Sequence, residues 1–569
     1  MKRYLAVVLA VLLFITASLP AFASDAPEKE VAIIVPGLME TLLYFENSSG
    51  SRRRFFDPAR DYFDNEDNIK KLVLGVVKAL FLFSYKTLDE SLIEINDAAL
   101  GGLAMNRDGT SFNTVTPAAS RASECSVSAL KQSGKWSSVD QGAMFALTLA
   151  DKIGPENVFV FLYDWRLNAA DLAEKLEVFV DETKQVTGAD KVNIITNSYG
   201  AQIAATYLYD LGGCANVNRV VFNAPAWQGT SLCRYICEDN IKDMQFSLMD
   251  GMHFILRFLL LDYDFEPLVR LLPKRLVDEV YFALASNTFT QYMLYMPAYW
   301  CCMDIDDYDT LKEQLLDPEL DADFIAKNDA VQYGIMRRIP EVLDYIQSQG
   351  TKVAITASDG NKLFMGGDTN GDYVVEIGKA TGAEAMPLGK RFPDGRTGKY
   401  VSPSGGVDLT NGLLPDRTWV ITGQAHCQTY WDETSATLIP KLLLTDEIED
   451  VFSSPDFPQF MDSRCPAMDV SLTLEGKMEK TLVPADGKIK AVIKNESDAD
   501  VILTGISLCG IPYVTGPVAG KLKAGETKTV TLAPSIFGKT CDYGTIKVFY
   551  IDTGILPQIE SRTFAFKVA

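Results

Sequence analysis

Short unbroken apolar runs alternate with amphipathic stretches through the first part of the chain. Residues 31–35 (VAIIV) form the first run and stop at Pro36-Gly37. A helical pattern over 141–153 leads to a second run at 158–162. A further helix is predicted over 169–185, with Leu172, Leu176 and Val180 on one face and Glu174, Lys175 and Glu182 on the other. The run 192–195, a tight turn, a helical 201–211 and the run 219–222 follow. Such alternation predicts a mainly parallel sheet covered on both faces. The rhythm breaks over 232–345, which holds apolar helical stretches (254–261, 268–272) and the aromatic run 292–300. This segment reads as an inserted helical cap. The rhythm returns with runs at 352–356 and 418–422 and a helix at 436–444. Residues 45–124 offer one clear apolar stretch, 72–83.

Near Cys465 the period changes. Six short alternating runs, 470–474, 488–493, 501–506, 527–532, 545–551 and 563–568, predict an antiparallel β-sandwich over 465–569. The expected organisation is a leader (1–23), an α/β domain (24–464) and a sandwich of accessory or adhesion type. The leader has Lys2 and Arg3, an apolar stretch from Leu5 to about Leu19, and Ala21-Phe22-Ala23 as a cleavage signal. Export to an extracytoplasmic compartment is therefore expected, and ten cysteines make disulfides the favoured reading there, with Cys509–Cys541 as a local pair.

Charge narrows the partners. The 569 residues carry a formal charge of −22, and −24 once the leader with its two cations is removed. A chain this acidic lacks the basic footprint that nucleic acid requires. Only two histidines occur, His253 and His426, which excludes zinc sites built on several imidazoles. No metal or cofactor is expected. Asp368, Asn370 and Asp372 open like a calcium loop, but Tyr373 and Lys379 stand where its glycine and acid belong.

The scarcity of histidine makes a histidine-dependent mechanism easy to locate. Residues 192–201 read as a strand, a tight turn carrying Ser198, and a helix start with Gly200 two positions on, the layout of a nucleophile elbow. Thr196 replaces the usual first glycine, and an ordinary capped turn would leave a similar trace. His426 follows the run 418–422 on a short loop, where a base is presented in such folds; His253 lies in an apolar cap stretch. The acid that would orient the imidazole should lie between these two, and Asp359, Asp368 and Asp372 all qualify.

Several strings together resemble the lecithin–cholesterol acyltransferase and lysosomal phospholipase family of α/β-hydrolases. They are Val35-Pro-Gly-Leu-Met-Glu-Thr-Leu, Tyr163-Asp-Trp-Arg-Leu, the serine turn, Asn223-Ala-Pro-Ala-Trp-Gln-Gly-Thr, Gly371-Asp-Tyr-Val-Val and His426. The resemblance covers about residues 30–230 and 350–445. It implies Ser198 as nucleophile, His426 as base and Asp372 ahead of Asp359 as acid, with the backbone N–H groups of Met39 and Tyr199 as oxyanion hole. It implies a serine ester hydrolase or O-acyltransferase acting on lipid or other acyl esters, whose cap makes transient contact with a lipid surface. Thr196-Asn197 and Glu40 depart from the pattern, Glu40 standing where a small residue is usual. The departures keep open a catalytically silent hydrolase-fold protein that binds lipid, glycan or a surface partner.

Overall fold

The structure is a computed structural model that describes residues 29–46, 101–112, 115–139, 144–237, 292–363, 369–426 and 432–463 nearly without a break, and shorter pieces elsewhere. The leader and His253 lie outside the described residues. Seven strands form the main sheet: β1 (Ala32–Val35), β2 (Val158–Val160), β3 (Val192–Asn197), β4 (Val217–Asn223), β5 (Lys352–Ala357), β6 (Thr418–Thr422) and β7 (Phe460–Asp462). Their order is β7-β6-β5-β4-β3-β1-β2, and every pairing is parallel. β1, β2 and β3 are buried along their whole length, which is why each reads as an unbroken apolar run rather than an alternating one.

Among the described helices covering the sheet are α1 (Met144–Ile153), α2 (Ala169–Thr187), α3 (Gly200–Asp210), α4 (Ile339–Ser348) and α5 (Glu433–Leu444). α2 starts where the Asn168 side chain accepts from the Ala170 N–H and stops at Gly188, which adopts φ 74°. Its buried face holds Leu172, Leu176 and Val180, as the spacing predicts. α4 buries Ile339, Val342, Leu343 and Ile346 and packs on α3 and β5. It is the crossover from β4 to β5, so the sheet's own scaffold resumes before residue 345, inside the range read as cap. This strand order, wholly parallel and covered by helices, is an α/β-hydrolase sheet. Among the described residues no helix is long and apolar enough to cross a membrane.

Beyond the hydrolase sheet, Val470–Leu474, Ile489–Asn495 and Thr527–Leu532 form one three-stranded antiparallel sheet. A second sheet is built around Val501–Leu508, Tyr543–Asp552 and Ile559–Val568. Leu482–Val483 joins its edge in parallel, so this part is not wholly antiparallel as expected.

The disulfide expectation needs correction where the cysteines are described. Cys125, Cys214, Cys301 and Cys302 are buried free thiols. Cys233 is likewise a buried thiol, its Sγ 3.5 Å from the Cys302 carbonyl oxygen. These side chains pack as small apolar groups in the core, and burial pushes the Cys125 and Cys301 thiols up to about 12. Cys509 and Cys541 lie outside the described residues.

Candidate active site

β3 passes into α3 through Thr196-Asn197-Ser198-Tyr199-Gly200. Ser198 has φ 51°, a left-handed conformation that costs a non-glycine residue about 1–3 kcal/mol. The strain is held by hydrogen bonds from the Ser198 N–H to Asn223 O (3.1 Å) and from the Ala201 N–H to Ser198 O (3.0 Å). A Cβ on Gly200 would lie 2.3 Å from Val35 O and 2.6 Å from Pro36 O. Only glycine lets α3 come this close to the end of β1. Thr196 is buried in the ladder between Val35 and Phe222. Its hydroxyl finds no partner among the described residues, the local cost of putting threonine where glycine is usual. Ser198 Oγ makes no hydrogen bond to a described residue.

The loops after β5 and β6 bring the other two groups together. His426 Nδ1 lies 2.6 Å from Asp372 Oδ2, and the His426 backbone N–H donates to Asp372 O at 2.9 Å. Asp372 Oδ1 accepts from the Val374 and Val375 N–H groups at 3.0 and 2.7 Å. Both residues are buried. Burial pulls the imidazole down, but the Asp372 charge and hydrogen bond, with a smaller contribution from Glu40, leave it above its ordinary 6.5.

Asp359 is the acid that does not touch the histidine. It lies two residues beyond β5, accepts from the Thr422 hydroxyl at 2.7 Å, and its carbonyl accepts from the Gly423 N–H at 2.6 Å. It braces the two loops instead. Burial pushes its carboxyl up to about 6, against the hydrogen bond from Thr422. Asp368 lies outside the described residues. Among the described residues no cluster of His, Cys, Asp and Glu is arranged to hold a metal ion.

The turn after β1 faces the elbow, and the Tyr163-Asp-Trp-Arg string clamps it. The Tyr163 hydroxyl donates to Pro36 O (2.5 Å), the Thr41 hydroxyl to Tyr163 O (3.1 Å), and Trp165 Nε1 to Thr41 O (3.0 Å). Met39 sits at φ 65° on this turn. Among the described residues, neither the Met39 nor the Tyr199 N–H donates to a backbone carbonyl. The feature that sequence reasoning did not resolve is Glu40. Its Oε2 accepts from the Gly37 N–H at 2.5 Å, and its Oε1 from Asn197 Nδ2. Glu40 and Asn197 are thus partners across 157 residues.

No family model matches the chain and no curated protein does. Two solved structures share a distant likeness. A chain of the Tle4–Tli4 complex is 12% identical, over 73% of this chain and 99% of that one, with a TM-score of 0.32. The Bacillus licheniformis lipase BlEst2 in its propeptide form is 12% identical, over 75% and 89%, with a TM-score of 0.25. Likeness at this level does not speak to what this chain does; its fold is read from its own strand order.

Proposed function

We propose that the protein is a serine hydrolase of acyl esters, acting outside the cytoplasm and most suited to lipid esters, with Ser198, His426 and Asp372 as its triad. The observation that carries this reading is the 2.6 Å bond between Asp372 Oδ2 and His426 Nδ1, on loops flanking a serine held at φ 51°. Asp372 accepts a hydrogen bond from Nδ1–H and so leaves the Nε2 lone pair available for the serine. The Ser198–His426 bond closes when substrate is seated, as catalytic bonds in unliganded sites commonly do.

In the proposed reaction Ser198 Oγ attacks the ester carbonyl carbon. Its proton passes to His426 Nε2, the Oγ–C bond forms, and the carbonyl π pair moves onto oxygen, facing the Met39 and Tyr199 N–H groups. Each such donor contributes about 3–4 kcal/mol to stabilising the oxyanion. Collapse breaks the bond to the alcohol, which leaves with the proton from His426. Water, or an acceptor alcohol, then takes the acyl group from Ser198 by the same steps in reverse. Family-level motifs favour the lipid-ester and acyltransferase end of this chemistry, and the cap is the natural cover for an acyl chain.

A fluorophosphonate probe tests the assignment. Labelling of the folded protein at Ser198, lost in S198A together with turnover of p-nitrophenyl esters, is the expected result. Turnover retained by S198A would remove the serine from the mechanism. Glu40, a carboxylate placed beside the elbow, favours a second reading: a silent hydrolase fold that binds lipid without cleaving it. Failure of the probe to label folded protein would select that reading.

A further inference from the structure

Glu40 and Asn197 meet beside the nucleophile. Gly37 N–H and Asn197 Nδ2 both donate to the Glu40 carboxylate. Asn197 Oδ1 accepts from Asn223 Nδ2 at 2.7 Å, and Asn223 Oδ1 from the Thr356 hydroxyl at 2.8 Å. The chain Glu40–Asn197–Asn223–Thr356 therefore runs across the ends of β1, β3, β4 and β5, beneath the nucleophile. Its last three members are 1% exposed. A buried polar chain whose bonds are all made holds its members in one arrangement. A Cβ on Gly37 would lie 2.9 Å from Ser198 Cβ and 3.2 Å from Glu40 Cδ. The Glu40 carboxyl carbon is therefore within about 6 Å of the nucleophile's Cβ.

Resting on the hydrolase reading above, we propose that Glu40 is a positioning residue of this site. It clasps the turn that carries Met39 to the elbow that carries Ser198. Its charge joins that of Asp372 in holding the imidazolium that forms when Ser198 gives up its proton. The groups that act on the imidazole are Asp372, from the loop after β5, and Glu40, from the turn after β1; both raise its proton affinity against the effect of burial. The clasp gives each Glu40 carboxylate oxygen a donor. Its charge is directed at those donors and is less free to oppose the oxyanion at Met39 and Tyr199.

E40Q removes the charge and keeps the shape. The amides of Asn197 and Asn223 can both turn over, with the Thr356 hydroxyl accepting instead of donating, so the glutamine is satisfied within the same chain. E40A removes the clasp as well. In an S198A/H253Q background His426 is the single histidine, and its titration is readable by NMR without reference to activity. The expected result is that E40Q lowers the His426 pKa by roughly half a unit or more. In the Ser198 enzyme the acidic limb of kcat/KM moves down by the same amount. E40A shows the same shift and loses about tenfold more turnover at its optimum than E40Q, the effect of freeing the oxyanion turn. A His426 titration unmoved in both variants overturns the proposal, and so does turnover by E40Q that rises at every pH. Absence of probe labelling at Ser198 in the unaltered protein sinks the hydrolase reading instead, so the two failures are told apart.

Discussion

Asp359 and Asp372 are carboxylates on one loop in opposite surroundings. Asp372 accepts two backbone N–H groups and lies within hydrogen-bond reach of the imidazole. Asp359 is wholly buried and its carboxyl is pushed up to about 6. D372N should therefore lose on the order of 10³–10⁴ in kcat by leaving the imidazole in the wrong tautomer. D359N should stay within about tenfold of the parent, since it touches no reacting group. Steady-state ester hydrolysis separates the two, and comparable losses would mean the acid is misassigned. The pH behaviour differs as well. Because Asp359 binds its proton more tightly folded than unfolded, its stabilisation is complete below about pH 4 and is lost as pH rises through about 6. That loss is on the order of 2–3 kcal/mol, and D359N should flatten the stability curve between pH 4 and 7 in urea titrations. Sequence order alone could not choose between these two acids, because both follow the same strand. Glu40 was visible as a misfit, yet its partner Asn197 is 157 positions away, and nothing local to either residue signals the other.

The elbow works because β1 and α3 nearly touch. With Val35 O and Pro36 O at 2.3 and 2.6 Å from the position of a Gly200 Cβ, G200A forces backbone rather than side chain to move. It should cost about 2–4 kcal/mol, seen as a lower urea midpoint at unchanged m-value, and should reduce probe labelling at Ser198. An unchanged midpoint would mean the helix can retreat without loss. The same burial made the sheet easy to read in advance, since strands covered on both faces show as apolar runs with few polar breaks. Where burial is partial the pattern fades. β7 has three residues, two half-buried and one exposed, too few to show a period. The helix Glu66–Leu82 carries Leu74 and Val77 exposed at 49% and 44%, so apolar character there does not signal burial. Free thiols among the described cysteines follow from the same core: a buried cysteine packs like a small apolar residue whether or not the compartment is oxidising.

One short segment ties the described part of the insert to the hydrolase body, alongside direct bonds such as Gln202 Nε2 to Cys301 O at 2.8 Å. Arg166, fully buried, pairs with Asp164 and donates to Gly102 O at 3.0 Å and Ser111 Oγ at 2.7 Å. On the far side of that segment, Arg107 bonds Asp321. Gly109 packs against Pro297 and Phe324, and a Cβ there would lie 2.7 Å from Pro297 Cγ. Residues 101–111 are thus held between the loop after β2 and the helix Ala322–Gly334, with Asn168 Nδ2 to Asn328 Oδ1 at 3.1 Å as a parallel tie. Removing the guanidinium strands the buried Asp164 charge, and breaking such a pair costs about 3–5 kcal/mol, whereas removing both partners costs less. R166M should therefore be strongly destabilised, and D164L/R166M should recover part of the loss. Hydrogen exchange adds a spatial signature. Amides of 101–111 and 322–334 should lose protection together in R166M while α2 and α3 keep theirs, because the bonds lost beyond the local pair with Asp164 run to Gly102 and Ser111 of that segment. Uniform loss across α3 would instead make Arg166 a support of the elbow itself, and the Tyr163-Asp-Trp-Arg string would then act on catalysis directly rather than by seating the insert.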